Sequence, residues 1–489
     1  MDAKRVFTAR ILLIGLLVAS WTAESARAAD RRELAAAIRQ LVTSPKVGGM
    51  RVGVHVEELG ENPAIIYQQH ADELFKPASN MKIVTTAAAM CVLSPDFTYR
   101  TVFGMRGDDL VIIGSGDPST GDPKMAAAAR EEVTATFQEW AKQLKARGVT
   151  SVRGRLLFDD FIFEQEHLHP NWKKQFNLQN WYAAPVGGLN FNDNCVEVVI
   201  KPSQEGEPAN VRLFPKTDYM SVENKTRTAA KGEPIINRQT TQPTTITVSG
   251  SVSRGNSPAD APSISVPDPG LLFASACRAV LEEHGIRIEG PTVRARVRRA
   301  DLSIPADVKV VAVSERKLKD VFWRINKSSL NMFAEAVFKT MGAYSGRENA
   351  PVVGTYENGR QVIERFLTRI GISPESYHID DGSGLSHDNR VTPRMLATIL
   401  RYMNSHPRRE EWWANLAVPQ ESVGTLRRRM KGLEGKVFAK TGSIGGVSTL
   451  SGYVKASDGR QYIFSVLCND IGKTNGLSPH TIQDEVCRI

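Results

Sequence analysis

Ser79 and Lys82 stand three residues apart, a spacing that puts a hydroxyl and an amine on one face of a helix. A serine is a weak nucleophile until a base takes its proton. A lysine can be that base once burial or nearby cations lower its pKa. Two further strings follow in order, Ser329-Leu330-Asn331 and Lys440-Thr441-Gly442. The first adds a second hydroxyl and a side-chain amide. The other adds a cation, a hydroxyl and a glycine that lets another backbone approach closely. Together they are the equipment for acylating a serine with an amide whose far end carries a carboxylate.

Each string has a plainer reading. Ser-x-x-Lys recurs at Ser314-Glu315-Arg316-Lys317, where Ser314 is expected to cap a helix starting near Lys317. Ser79 differs because it opens an apolar run through Ile83, Val84, Ala87, Ala88 and Met90 to Leu93. That is the pattern of a helix buried on all sides, and its N-terminus offers unpaired N–H groups and the positive dipole end to the hydroxyl. Ser328 to Asn331 could merely cap the helix that follows through Met332, Phe333, Ala336 and Val337. Lys440-Thr441-Gly442 ends a short strand whose edge can take an extended substrate as an added strand. Chance explains any one string and poorly explains three in order.

Other chemistries find less support. Gly114-Ser115-Gly116 follows a strand, but Asp117-Pro118 comes next and no helix opens there to hold a dinucleotide. His167-Leu168-His169 precedes Pro170 in a loop-like stretch and reads as solvated histidines rather than metal ligands. No G-x-S-x-G and no C-x-x-C occurs, which removes the hydrolase elbow, thioredoxin and zinc readings. Asp380-Asp381 with His387 is a poor substitute for a triad beside a Ser/Lys pair.

The elements that must hold these groups are legible in outline. Val52, Val54 and Val56 alternate and Ala64 to Tyr67 form a second apolar run, a hairpin opening a sheet. Short strands at 109–113 and 155–158 and a Gly/Pro/Ser/Thr-rich stretch from Lys231 to Pro267 mark a different middle region. Helices are predicted over 271–284, 318–341, 361–370 and 392–403, the last with Thr392 as N-cap and Pro393 at its first position. Strands return at 437–441, 447–454 and 462–467, with Ser457-Asp458-Gly459-Arg460 as a turn. The order suggests a sheet closed by both ends of the chain, with domains inserted between.

The start of the chain addresses compartment. Lys4, Arg5 and Arg10 precede the apolar run Ile11 to Ala19, and Ala26-Arg27-Ala28 is a small-x-small cleavage site. This is the layout of a secretory leader over 1–28, with an apolar run too short to span a bilayer. Of the net charge of +9, the leader carries Lys4, Arg5, Arg10 and Arg27 against Asp2 and Glu24, leaving +7. The basic residues are dispersed, which fits mild affinity for anionic envelope surfaces and at most peripheral membrane contact, and argues against nucleic acid. Five cysteines are too few for a disulfide scaffold, and their odd number leaves at least one thiol unpaired or bridged between molecules. Cys91 reads as a small core residue of the Ser79 helix.

With these motifs the chain resembles the low-molecular-mass class C penicillin-binding D-alanyl-D-alanine carboxypeptidases, which also act as endopeptidases. The resemblance extends to Gly114-Ser115-Gly116-Asp117-Pro118, Asn190-Phe191-Asn192, Asp381-Gly382-Ser383-Gly384-Leu385-Ser386, Val391-Thr392-Pro393, Gly424-Thr425-Leu426-Arg427 and Leu450-Ser451-Gly452-Tyr453-Val454. It implies an α/β (α+β) fold: a serine penicillin-binding/β-lactamase-like transpeptidase domain, an antiparallel sheet with helices on both faces, carrying two inserted, mostly β domains. The catalytic domain would comprise 29–100 and 300–489, inserted domain II 101–190 and 265–299, and a nested domain III 191–264. By the same resemblance Ser79 would be the acylated nucleophile and Lys82 its base. Ser329 would relay a proton to the leaving D-alanine, and Asn331 would hold the substrate amide. Lys440 and Thr441, with Gly442 and Ser443 beside them, would bind the terminal carboxylate, and the N–H groups of Ser79 and Ser443 would form the oxyanion hole. Leu330 stands where the family commonly has Asp, and His387 where it often has Arg. Peptidoglycan peptides are the implied substrates and β-lactams the implied covalent inhibitors, in an extracytoplasmic or periplasmic setting without metal or cofactor. A β-lactamase or esterase on the same scaffold and a catalytically silent wall-binding protein are the alternatives.

Overall fold

In the computed structural model, which describes residues 27–60, 63–255, 261–344, 352–472 and 476–489, the alternating valines lie in strand Arg51–Leu59. The expected leader lies outside the described residues except for Arg27 and Ala28, which begin a helix over 27–42. Among the described residues no helix is long and apolar enough to cross a membrane. The chain divides into two compact units, one of residues 1–77, 391–406 and 417–489, the other of 78–390 and 407–416.

The first unit is an antiparallel sheet in the order Val437–Ile444, Val447–Lys455, Gln461–Asn469, Arg51–Leu59, Ala64–Gln69. Both chain ends feed it, as the order of elements predicts. Its central strands are buried on both faces, so each face needs a helical cover. One face carries Val52, Val54, Leu450 and Val466, which share an apolar cluster with Ile38 and Val42 of helix 27–42 and with Ile482 and Val486 of Pro479–Arg488. Against the other lies Pro393–Asn404, tied down by Tyr453 Oη donating to the Leu400 carbonyl at 2.6 Å and by the Arg401–Glu57 ion pair at 3.0 Å. That helix buries Met395, Leu396, Ile399, Leu400 and Met403, the i, i+4 stripe of a helix laid on a sheet.

The second unit combines three packed helices, Met81–Val92, Asn331–Tyr344 and Tyr356–Arg369, with the inserted strands. A mixed five-stranded sheet runs in the order Thr292–Arg294, Leu156–Asp159, Asp109–Ile113, Thr98–Arg106, Lys309–Lys317. Two three-stranded sheets come from 195–265. One apolar cluster joins Phe103, Trp140, Phe191 and Phe273 to Val196, Val198, Ile246 and Val248, with Phe103 and Trp140 stacked at 4.6 Å. The segment 191–264 therefore shares its core with the sequence around it.

Three expectations change. Ser314 caps no helix: it lies within strand Lys309–Lys317, opposite Thr101, and its Oγ accepts from Trp140 Nε1 at 3.2 Å. Pairing with Thr98–Arg106 holds the segment extended, and a 3-10 turn, Leu318–Asp320, and the short helix Phe322–Asn326 follow only after Lys317. The strand bearing Lys440 does not end at Thr441 but runs on to Ile444, because the turn comes only at the hairpin glycines. The histidines are not solvated. His169 is buried edge-on to Tyr356 at 4.6 Å and 3.7 Å from Asp380. His167 is half-buried near Asp160 and Asp268, carboxylates that Arg294 already engages at 3.1 and 2.5 Å. None of the five cysteines forms a disulfide; Cys91 is half-buried and the other four are buried.

Thr392 caps Pro393–Asn404 as predicted, its Oγ1 accepting from Met395 N at 3.1 Å. Thr392→Ala is expected to cost about 1–2 kcal/mol of stability in chemical denaturation, and Thr392→Ser far less.

Candidate active site

The site begins where the chain turns into the apolar helix. Ala78–Asn80 form one 3-10 turn, with Ala78 at a left-handed φ of 45°, before Met81–Val92. Met81 to Met90 are all buried, as the absence of a polar face predicts. Lys82 goes down with them and is fully buried. Its Nζ donates to Ser79 Oγ at 2.9 Å, Asn331 Oδ1 at 2.6 Å and the Ser383 carbonyl at 2.7 Å. Three acceptors match the three donors of an ammonium. Burial nevertheless pulls the lysine down to about 7, against the opposing charges of Asp381 and Glu335. The amine is thus poised between its two forms near neutral pH, and in its free-base form it stands at hydrogen-bond distance from the serine proton.

Asn331 is the first residue of helix Asn331–Tyr344. Its Oδ1 faces the lysine, and its Nδ2 donates to the Tyr182 carbonyl at 2.8 Å, which leaves a second N–H on that nitrogen. The predicted long helix 318–341 is interrupted just before it: Phe322–Asn326 ends, and Ser329 takes a left-handed φ of 62°. Leu330 is a buried apolar residue, so the departure from Asp at that position goes into the core. His387 packs edge-on against Phe176 at 5.4 Å, and Phe176 lies 6.3 Å from Tyr182.

The Ser383 carbonyl is fixed by a saturated loop. Asp381 accepts from Gly384 N at 2.6 Å, Ser386 N at 2.6 Å, Asn389 Nδ2 at 2.8 Å and Trp172 Nε1 at 2.8 Å. Glu335 accepts from Gly382 N at 3.0 Å and Ser383 N at 2.7 Å. Thr85, one turn along from Lys82, donates its hydroxyl to the Gly382 carbonyl at 2.6 Å. Gly384 has a φ of 80°, and a Cβ there would lie 1.8 Å from the Ala78 carbonyl oxygen. Only glycine allows the loop to reach the turn that carries Ser79.

The structure therefore brings Ser79, Lys82 and Asn331 together, with Ser329 two residues ahead of Asn331 in the same unit. Lys440, Thr441, Gly442 and Ser443 belong to the other unit, on the edge strand of its sheet. There Lys440 is buried with Nζ donating to the Thr441 carbonyl at 2.7 Å, Thr441 Oγ1 donates to Thr425 Oγ1 at 2.8 Å, and Ser443 is exposed. Sequence reasoning missed Glu335, Thr85, Tyr182 and Trp172. Glu335 left a signal: it is a carboxylate midway between Asn331 and Lys339, four residues from each on one face of a helix that is otherwise mostly apolar.

Comparison with known proteins places the chain among relatives. The profile of the D-Ala-D-Ala carboxypeptidase 3 (S13) family matches residues 34–488. A D-alanyl-D-alanine carboxypeptidase from an Actinomadura species is 31% identical over 514 aligned residues, spanning 99% of this chain and 89% of its own. A D-alanyl-D-alanine carboxypeptidase from Haemophilus influenzae is 22% identical over 86% of each chain. Among solved structures, penicillin binding protein 4 from Haemophilus influenzae superposes with a TM-score of 0.73 at 20% identity, covering 92% of this chain and 97% of its own.

The close approach at Gly384 is testable by substitution. Gly384→Ala should cost about 2–3 kcal/mol in chemical denaturation, because strain and a backbone clash add. Gly371→Ala is the control: its φ is 79° and nothing lies within 4 Å of a Cβ there, so strain alone should cost about 1 kcal/mol.

Proposed function

The chain belongs to the D-Ala-D-Ala carboxypeptidase 3 (S13) family, and from that premise we propose an exported serine peptidase that hydrolyses the D-Ala-D-Ala end of peptidoglycan peptides through an acyl-enzyme at Ser79. The observation that carries the reading is the buried Lys82 Nζ, 2.9 Å from Ser79 Oγ and anchored on its other sides by Asn331 and the Ser383 carbonyl. The free-base amine takes the Ser79 proton as Oγ attacks the carbonyl carbon of the penultimate D-alanine. The C–N bond then breaks, and the proton passes to the departing amine with Ser329 as relay. Water, deprotonated in turn by Lys82, releases the acyl group and restores the serine. The second N–H of Asn331 Nδ2 holds the substrate amide. Charge and motif assign Lys440 and Thr441 to the terminal carboxylate, which a buried cation and a hydroxyl suit.

The leader at 1–28 supports export. The resemblance to class C enzymes extends the proposal to D-Ala–meso-diaminopimelate cross-links, and products released from purified wall peptides, free D-alanine or separated halves, report on that extension. A β-lactam offers the same acylatable amide; a solved complex of the Haemophilus influenzae protein with a novel β-lactam makes this class of reagent the natural probe. Residues 191–264 carry none of the reacting groups, and we assign them to positioning on the wall.

A fluorescent penicillin should label the peptide containing Ser79, and Ser79→Ala should abolish labelling while Ser314→Ala retains it. An adduct on the Ser314 peptide, or none, would sink the assignment; rapid loss of the label would instead identify a β-lactamase. The acylation rate should rise with pH, since the protonated fraction of Lys82 falls as pH passes about 7. Below that value the slope should approach tenfold per unit, and above about pH 8 the rate should level off.

The two lysines are separable. Lys82→Arg should cut acylation by roughly 10²–10⁴-fold, because a guanidinium stays protonated. Lys440→Arg keeps the charge and should retain measurable acylation. Equal, complete loss in both would contradict the division of roles.

A further inference from the structure

Of the three acceptors around Lys82, only Ser79 Oγ takes part in bond making; Asn331 Oδ1 and the Ser383 carbonyl aim the amine. Both aiming groups lead to Glu335. Asn331 lies four residues before it on the same helix, hence on the same face. The Ser383 carbonyl belongs to a backbone whose Gly382 and Ser383 N–H groups both end on the Glu335 carboxylate, at 3.0 and 2.7 Å. Glu335 is fully buried and touches neither Ser79 nor Lys82 through any of these bonds. Burial and the neighbouring Asp381 push the Glu335 carboxyl up to about 8, outweighing the two N–H donors, one to each oxygen, that favour its charged form.

We propose that Glu335 is a positioning residue for the proton transfer between Ser79 and Lys82. It holds the backbone that carries the Ser383 carbonyl and stands one helical turn from Asn331, the two groups that aim the amine. The inference rests on the acylation reading above and deepens it. When ionised, Glu335 also raises the proton affinity of Lys82, against the larger lowering by burial.

The other charged groups facing this pair are few. Asp381 acts on both, raising Lys82 and pushing Glu335 up alongside burial. From helix Asn331–Tyr344 itself comes Lys339, which is buried over the Tyr356 ring at 4.0 Å and paired with Glu164 at 3.2 Å. From helix Tyr356–Arg369 comes the buried Tyr356 hydroxyl, and behind it His169 beside Asp380. Lys339 thus has its own partner, and Glu335 and Asp381 are the carboxylates that act on Lys82.

The test is the dependence of the acylation rate of the full-length protein on the concentration of a fluorescent penicillin, with thermal unfolding recorded for each variant. Glu335→Gln keeps the shape and removes one of the two acceptors. Its maximal acylation rate should fall roughly 10- to 100-fold, while the penicillin concentration that gives half that rate stays near the parental value. Glu335→Asp is one methylene too short to span both N–H groups and should show the same split. A folded Glu335→Gln protein with the parental maximal rate would overturn the proposal. So would a loss carried by the half-maximal concentration, the signature of a loosened site. If Glu335→Gln does not fold, Glu335→Asp is judged by the same two quantities, with the same outcomes for and against. A parent protein that takes no label at Ser79 would bring down the acylation reading itself, a result distinct from any outcome with the variants.

Discussion

An amine buried without solvent is the constraint around which the second unit is organised. An ammonium in an apolar interior is costly unless every donor finds an acceptor. Lys82 has three acceptors from three separate stretches of chain: the turn at Ser79, the start of the helix at Asn331 and the loop at Ser383. Their convergence demands that the Ser79 helix, the Asn331 helix and the 381–386 loop meet at one point. The same burial that makes the charged form expensive is what lets the lysine give up its proton near neutral pH. Structure and reactivity are thus set by one desolvation.

The loop shows how that demand is met locally. Asp381 takes four N–H donors and Glu335 takes two, so nearly every backbone donor from Gly382 to Ser386 ends on a buried carboxylate. Such satisfaction is what makes a buried polar network rigid rather than merely expensive. The close contact of Gly384 with Ala78 then passes that rigidity directly to the turn bearing Ser79.

Much of this was legible in the sequence. The alternation of Val52, Val54 and Val56, the unbroken apolar helix after Ser79 and the cap at Thr392 follow from periodicity and capping, which are local properties. Three of the site residues were named by their motifs and are brought together as expected. What escaped depends on contacts distant in sequence. Ser314 reads like a cap until Thr98–Arg106 pairs with its strand. His169 reads as solvated until Tyr356 and Asp380 enclose it. Tyr182 contributes only a carbonyl, which no side-chain pattern can announce. Glu335 was visible as a charge on an apolar helix, but its meaning depended on a loop some fifty residues further on.

The mixed sheet of the second unit carries a consequence for how such a chain can be assembled. Thr98 and Lys317 are paired in adjacent antiparallel strands, so the polypeptide leaves for its long excursion and returns from it at neighbouring points, about 5 Å apart. Everything between travels out and back through one doorway. Because segment 191–264 shares its apolar cluster with the strands around it, a change in that segment is felt by the rest of the excursion. A lineage, or an engineer, that lengthens or trades the excursion at that doorway must still bring Trp172 back to Asp381 and Tyr182 back to Asn331.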